Sequence, residues 1–387
     1  MQTHAQRLAS VPPTIFSEMS VLAVRTGALN LGQGFPDVDG PPSVIAAAVE
    51  ALEHGANQYA PGIGIAPLRA AIARHQHRHY GLEVDPDREV VVTTGCTEAI
   101  AAALLGLVDP GDEVVVLEPY YDSYVAMLTM CGAVRRPVTL RAPEFRLDPD
   151  ELRAAVSPRT RVLLLNTPHN PTGTVLTRAE LQAVADIAIE HDLVVITDEV
   201  YEHLVFDDHE HIPIATLPGM WERTLTLSSA GKSYSFTGWK VGWATGPAPL
   251  VQAVLAAKQW LTFTSGSPLQ PAVAHALDHE PDWPDTLARD LQARRDLLCV
   301  GLREAGLTPH VPQGTYFTTT DISHLGWTDG REFCLALPRR AGVVAIPTQG
   351  FHDDQEAGRH LVRWAFCKER DVIVEGVRRL AGADLTR

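Results

Sequence analysis

The stretch Ser228 to Trp243, SSAGKSYSFTGWKVGW, holds two lysines, and one of them is framed so that covalent chemistry is within reach. Lys232 follows four small residues, Ser228, Ser229, Ala230 and Gly231, at the point where the apolar strand LTLS runs out into a loop. Strand ends of this kind are where α/β folds build their sites. Apolar and aromatic neighbours disfavour the ammonium form, and a neutral amine can form a Schiff base with an aldehyde. The same residues would also serve as a surface loop carrying two solvated lysines, Lys232 and Lys240.

Other residues offer chemistry beside a plainer structural use. Arg363 lies inside the apolar strand of LVRWAFCK, where a guanidinium is costly unless paired. It suits either a buried ion pair or a bidentate grip on a ligand carboxylate. Asp198, in VVITDEVYEHL, ends a strand and could cap a helix. Cys96 and Thr97, in TTGCTEAI, stand at a strand-to-helix junction, where free N–H groups and the helix dipole favour a phosphate, although threonine is also a common cap. Tyr121, in EPYYDSY, provides an aromatic face for a planar ring or for core packing. Asn170, in NTPHNPTG, brings a neutral amide into what is also a good turn. Gly34, in NLGQGFPD, lets backbone approach a ligand or simply turns the chain.

These residues need a scaffold, and the pattern supplies one. From Glu89 onward, apolar strands (EVVVTTG, EVVVL, Val134 to Leu140, the strand ending LLLN, VVIT, LTLS) alternate with helices over Thr97–Leu107, Tyr121–Met130 and Arg178–His191. That alternation predicts a parallel sheet covered on both faces. Helices are expected at Ile15–Arg25, Pro42–His54, Ala248–Trp260 and Ser267–His279, with a long one at Trp283–Ala305 leading to a smaller mixed unit. In that unit, strands are expected near Leu307 and over Thr315–Thr320, Gly342–Ile346 and His360–Phe366, with helices at Arg331–Arg340 and Glu369–Leu380. A division into 45–285 as the large domain, and 1–44 with 286–387 as the small domain and N-terminal arm, follows.

The 387 residues, 45% of them hydrophobic, suffice for such a core. Lys and Arg number 32 against 47 Asp and Glu, a net charge of −15 without a basic block, so nucleic acid and anionic membranes are not expected partners. Five widely spaced cysteines read as buried thiols of a reducing cytoplasm. No signal-like or membrane-spanning apolar run is visible. The 16 histidines show no HExxH or comparable spacing; His75, His77 and His79 read as a solvated helix stretch, and no metal is expected.

SSAGK followed by TGWKVGW, with TTGCTEAI, EPYYDSY, NTPHNPTG, VVITDEVY and LVRWAFCK in their places, resembles the fold type I pyridoxal-phosphate aminotransferases of class I/II. Within them the chain is similar to the kynurenine, glutamine and methionine aminotransferase branch and to actinobacterial N-succinyldiaminopimelate aminotransferases, from about Thr14 to about Arg379. The resemblance implies a large domain with a mostly parallel seven-stranded sheet sandwiched by helices, a smaller α+β domain, and a homodimer with a shared site. It implies that Lys232 binds the cofactor and moves the proton, Asp198 supports the pyridine nitrogen, Tyr121 stacks on the ring, and Asn170 and Tyr201 donate to its O3′. The phosphate would rest on Cys96, Thr97, Ser229, Lys240 and the Tyr59 of the other subunit. The substrate would meet Arg363, Asn170 and Gly34, with Phe16, the Tyr120–Tyr121 pair and Phe263 lining its side-chain pocket. The substrate implied is N-succinyl-LL-2,6-diaminopimelate with glutamate and 2-oxoglutarate; methionine, glutamine and kynurenine transamination, C–S β-lysis and amino acid oxidation use the same set of residues.

Overall fold

Valine- and leucine-rich runs with no polar side can be satisfied only between two covering layers. In the computed structural model, which describes residues 5–9, 11 and 13–387, seven such runs form one sheet. They are β1 (Val90–Thr94), β2 (Glu113–Glu118), β3 (Val134–Thr139), β4 (Thr160–Asn166), β5 (Val194–Asp198), β6 (Thr224–Ser229) and β7 (Val241–Thr245). Their order is β1-β7-β6-β5-β4-β2-β3, and every neighbouring pair is parallel except the two made by β7. The sheet is mostly parallel, as expected.

Helices cover both faces and have identifiable ends. Arg178–Glu190 opens with a capping box, in which Thr177 accepts from the Glu180 N–H while the Glu180 carboxylate accepts from the Thr177 N–H. Gly81 closes the helix Ala66–Tyr80 in the left-handed conformation that glycine adopts without strain. On one face of the sheet a buried apolar cluster includes Leu163, Leu181 and Val195 and another includes Val90, Ile72 and Trp243; the alternate strand residues Val91, Leu164, Ile196 and Leu225 belong to a third cluster on the opposite face.

A second, four-stranded antiparallel sheet runs Ile346–Pro347, Leu361–Ala365, Phe317–Asp321, Thr308–His310. A parallel pair, Leu29–Asn30 with Val343–Val344, ties the N-terminal segment to this part of the molecule. The helix Trp283–Glu304 reaches it and packs on the helix Arg370–Ala381, so closely that a Cβ at Gly301 would meet Val377 at 2.4 Å.

Three local expectations are corrected. Lys232 lies in a one-turn helix, Ala230–Ser233, and not in a loop, because Ser229, Ala230 and Gly231 are small enough to let the chain coil immediately beyond β6. The expected strand Gly342–Ile346 is two short ones, Val343–Val344 and Ile346–Pro347, which pair in different sheets. His75 is 3% exposed and not solvated, since it occupies the inward face of the helix Ala66–Tyr80; His77 and His79 are exposed.

Candidate active site

The carboxyl ends of the parallel strands converge on one cavity of about 250 Å³. β1 gives way to Gly95, Cys96 and Thr97 at the start of the helix Gly95–Leu107, β2 leads to Tyr121, and β4 to Asn166 and Asn170. β5 ends at Asp198, and β6 at Ser229, one turn before Lys232. Because β7 runs the other way, its beginning lies beside these ends, with Val241 opposite Thr94 and Gly242 opposite Ser229. Lys240 thereby reaches the same place. The smaller unit contributes Arg363 and Phe317, and the N-terminal segment contributes Phe16, Gln33 and Gly34.

Lys232 is partly exposed, to the cavity itself, and its removal from bulk water lowers its amine to about 8. Its Nζ donates to the Tyr316 hydroxyl at 2.7 Å, and that hydroxyl donates to the Gly34 carbonyl at 2.6 Å. The Asp198 carboxyl is raised above its ordinary range by burial. Against that burial, the Tyr124 hydroxyl donates to Oδ2 at 2.7 Å and the Val200 N–H to Oδ1 at 3.3 Å. Asn166 donates to the Asp198 carbonyl at 2.8 Å and accepts the Asn170 N–H at 2.8 Å, which locks β4 to β5 where both end.

Arg363 is 1% exposed, and burial lowers it to about 10, so it stays charged at neutral pH. Its guanidinium donates to Asn170 Oδ1 at 3.0 Å and the Gly32 carbonyl at 2.9 Å, lies over the Phe317 ring at 3.9 Å, and leaves Nε without an acceptor. Among the described residues no carboxylate is within 4.0 Å of it. The structural ion pair that would have explained this arginine is absent, and a buried cation in a cavity is a receptor for an anion.

At the opposite wall the backbone is bare. Gly95 has φ +71°, and a Cβ there would press on Lys240 Nζ at 3.1 Å; a Cβ on Gly242 would meet Gly95 C at 2.6 Å and Cys96 N at 2.7 Å. Lys240 Nζ donates to Thr97 Oγ1 at 3.4 Å. Helix N–H groups, two hydroxyls (Thr97, Ser229) and one ammonium around a glycine-lined hollow are a donor set for a phosphate.

Twelve of the residues singled out from sequence therefore line one cavity: Phe16, Gly34, Cys96, Thr97, Tyr121, Asn170, Asp198, Tyr201, Ser229, Lys232, Lys240 and Arg363. Two do not. Tyr59 is 81% exposed and Phe263 57% exposed, and they meet edge to face with ring centroids 5.2 Å apart on the outer surface. Phe263 carries φ +65° just past the helix Ala248–Leu261, and within one chain it stands outside the cavity. Tyr120 also turns away, because adjacent residues project to opposite sides; its hydroxyl donates to Asp353 at 2.7 Å. Tyr124, Tyr316, Phe317 and Asn166 were missed as site residues. Tyr124 had a signal, three positions beyond Tyr121 on the same helical face, whereas Tyr316 sits in GTYFTTT with nothing local to mark it.

Residues 26–370 match the family described as aminotransferase class I and II. The chain belongs to the class I and II aminotransferases. It is 55% identical over 386 residues to a probable N-succinyldiaminopimelate aminotransferase of Mycobacterium tuberculosis, covering 97% of both chains. It is 40% identical to the methionine aminotransferase of Escherichia coli, again over 97% of each. The solved N-succinyldiaminopimelate aminotransferase of M. tuberculosis superposes with a TM-score of 0.96 at 54% identity, covering 98% of this chain and 100% of that one. The enzyme's cavity must accept an amino acid and a 2-oxo acid in turn, and the charged, buried Arg363 lines it. No helix among the described residues is long and apolar enough to cross a membrane.

Proposed function

We propose that this aminotransferase works with pyridoxal 5′-phosphate bound at Lys232 and that it transfers the amino group between glutamate and 2-oxoglutarate on one side and N-succinyl-LL-2,6-diaminopimelate on the other. The observation that carries the chemistry is the shared cavity of a lysine amine held near 8 and a buried guanidinium with no protein carboxylate. The donor set fits the cofactor: a phosphate would rest on the Cys96 and Thr97 N–H groups, Ser229 and Lys240, and the buried Asp198 carboxyl on the same cavity would partner a cationic ring nitrogen. When bound, the cofactor supplies a carbonyl that takes up the amino group and a ring that spreads the negative charge developing at the substrate α-carbon.

Each side chain then has a defined task. Lys232 Nζ, neutral in a useful fraction near pH 8, takes the α-proton and returns it on the other side of the transfer. Asp198 would keep a proton on the ring nitrogen of the bound cofactor, and Tyr201 and the Asn170 amide would donate to its ring oxygen. Tyr121 offers a flat face. Arg363, with Asn170 and the Gly34 backbone, orients the substrate carboxylate in a fork that a lysine could not reproduce. Phe16 lies over Arg363 at 4.8 Å and shields that pairing from water.

A second hollow of about 1150 Å³ adjoins the first through Phe16 and Tyr121 and extends between the helices Ile15–Thr26 and Asp122–Cys131 to Arg331 and Gln349. Such a space suits a long, polar-ended side chain, as the succinylated substrate has. The likeness to the mycobacterial enzyme supports the same choice.

We propose further a homodimer whose sites lie at the interface, with 45–285 as the cofactor-binding domain and 1–44 plus 286–387 as the smaller one. Tyr59, Trp260, Leu261 and Phe263 are exposed large apolar residues on segments beside the cavity, a patch that a second copy would cover. Specificity constants for the succinylated compound, methionine, glutamine and kynurenine against a common 2-oxo acid test the substrate. The succinylated compound should lead; an advantage of about a hundredfold for methionine or kynurenine, roughly 2.8 kcal/mol in transition-state binding, overturns the choice.

A further inference from the structure

We propose that His75, His79 and His203 form a binding site for a divalent transition metal of the zinc class, separate from the catalytic cavity. His75 and His79 are four apart on the helix Ala66–Tyr80 and so share a face; their ring centroids are 4.6 Å apart. His203 comes from the turn beyond β5, and its ring centroid is 4.9 Å from that of His75 and 4.8 Å from that of His79. The three ligand atoms lie within 4.8 Å of one another. Tetrahedral zinc with bonds of about 2.0–2.1 Å sets its ligand nitrogens roughly 3.3 Å apart, so modest ring rotations reach the required spacing. The Nε2 atoms of His75 and His203 already face each other at 2.7 Å.

The surroundings call for a cation. Glu202 is 4% exposed, accepts from the Ser228 hydroxyl and from the Tyr80 hydroxyl at 2.6 Å, and has no arginine or lysine within 4.0 Å among the described residues. It adjoins His203 in sequence and, through Tyr80, the helix that carries His75 and His79, so an acidic side chain without a lysine or arginine partner stands beside the imidazoles. A metal ion supplies the missing positive charge directly. On the outer side, a cleft of about 630 Å³ reaches His79, His203 and Asp285, which leaves a fourth position for water or the Asp285 carboxylate. Three imidazoles exclude calcium and magnesium, which prefer oxygen donors. None of the three histidines lines the catalytic cavity.

The holoenzyme, stripped with a chelator that leaves its cofactor in place, is titrated with Zn²⁺ in competition with a chromophoric chelator. The expected result is one tight equivalent per chain, weakened at least about tenfold by His79→Gln, an exposed position whose change spares the fold, with transamination unchanged. His275→Gln, which breaks another helical histidine pair at 4.7 Å, should leave the zinc affinity unaltered. X-ray absorption of the zinc form should show three imidazole nitrogens. Failure of the wild type to bind Zn²⁺, or binding indifferent to both His79→Gln and His203→Gln, overturns the proposal. Because turnover is read separately, neither outcome bears on the transamination chemistry.

Discussion

Lys232 is one of only four lysines in the chain, so its ionisation can be followed without crowding from others. Removing its amine in Lys232→Ala should leave the fold intact and reduce steady-state transamination below about a thousandth of wild type, because among the described residues no second amine is placed to move the proton. Its titration is also a stability statement. The folded amine is lowered to about 8 from 10.5, so between those values the unfolded chain holds more protons than the folded one. The cofactor-free protein should therefore gain stability as pH rises from 8 to 10.5. Urea midpoints across this range should show a rise in wild type that is missing in Lys232→Met, which keeps the stem and removes the charge. Arg363→Lys tests the other pole. A point charge in place of the fork should cost about 1.5–3 kcal/mol, read as a roughly 10- to 100-fold drop in kcat/KM with the cofactor retained. An unchanged kcat/KM would place the substrate carboxylate elsewhere.

At the scale of elements, the site depends on how closely the antiparallel strand β7 approaches the start of the helix Gly95–Leu107. Gly242 makes that approach possible, since any Cβ would run into the backbone of Gly95 and Cys96, which cannot swing aside as a side chain would. Gly242→Ala should displace the helix N-terminus, weaken pyridoxal-phosphate affinity several-fold and lower stability by about 1–3 kcal/mol. Gly238→Ala, where a Cβ meets nothing within 4 Å, is the matched control. Cofactor titration by absorbance and thermal melts of the two variants would separate a specific clash from a general glycine effect. The Asn166 bridge joins β4 to Asp198, 32 residues on, and leaves no local mark; the capping box of Arg178–Glu190, whose partners Thr177 and Glu180 are three apart, is readable as local chemistry. The one-turn helix at Lys232 is not, because four residues are too few to show a period.

At the scale of the whole molecule, the proposed second subunit would give Tyr59 and Phe263 their place. Tyr59 and Phe263 were both expected at the site, yet in one chain they meet edge to face on its outside. If Tyr59 serves the neighbouring site, mixing Lys232→Ala with Tyr59→Phe should give heterodimers with one doubly damaged site and one site free of both changes. Activity of the mixture, after correction for the homodimers, should exceed that of Lys232→Ala alone. Mixed dimers with no recovery would count against a shared site.

Residue types and their spacing were enough to mark Lys232, Asp198, Asn170 and Arg363, because each is chemically out of place in its own segment: an amine after four small residues, a carboxylate and an amide closing apolar strands, a guanidinium inside one. The alternation of apolar strands with helices likewise determined the parallel sheet, since period and hydrophobicity are local properties. Tertiary structure alone decided what surrounds each of them. Among the described residues Arg363 has no carboxylate partner, and that could be known only when strands far apart in sequence were brought together. Tyr316 joins Lys232 to Gly34 across separations of 84 and 282 residues, and His75 proves buried because a turn 128 residues away covers it. Contacts of such length leave no local pattern, since chain connectivity places no constraint on which distant segments a buried side chain will meet.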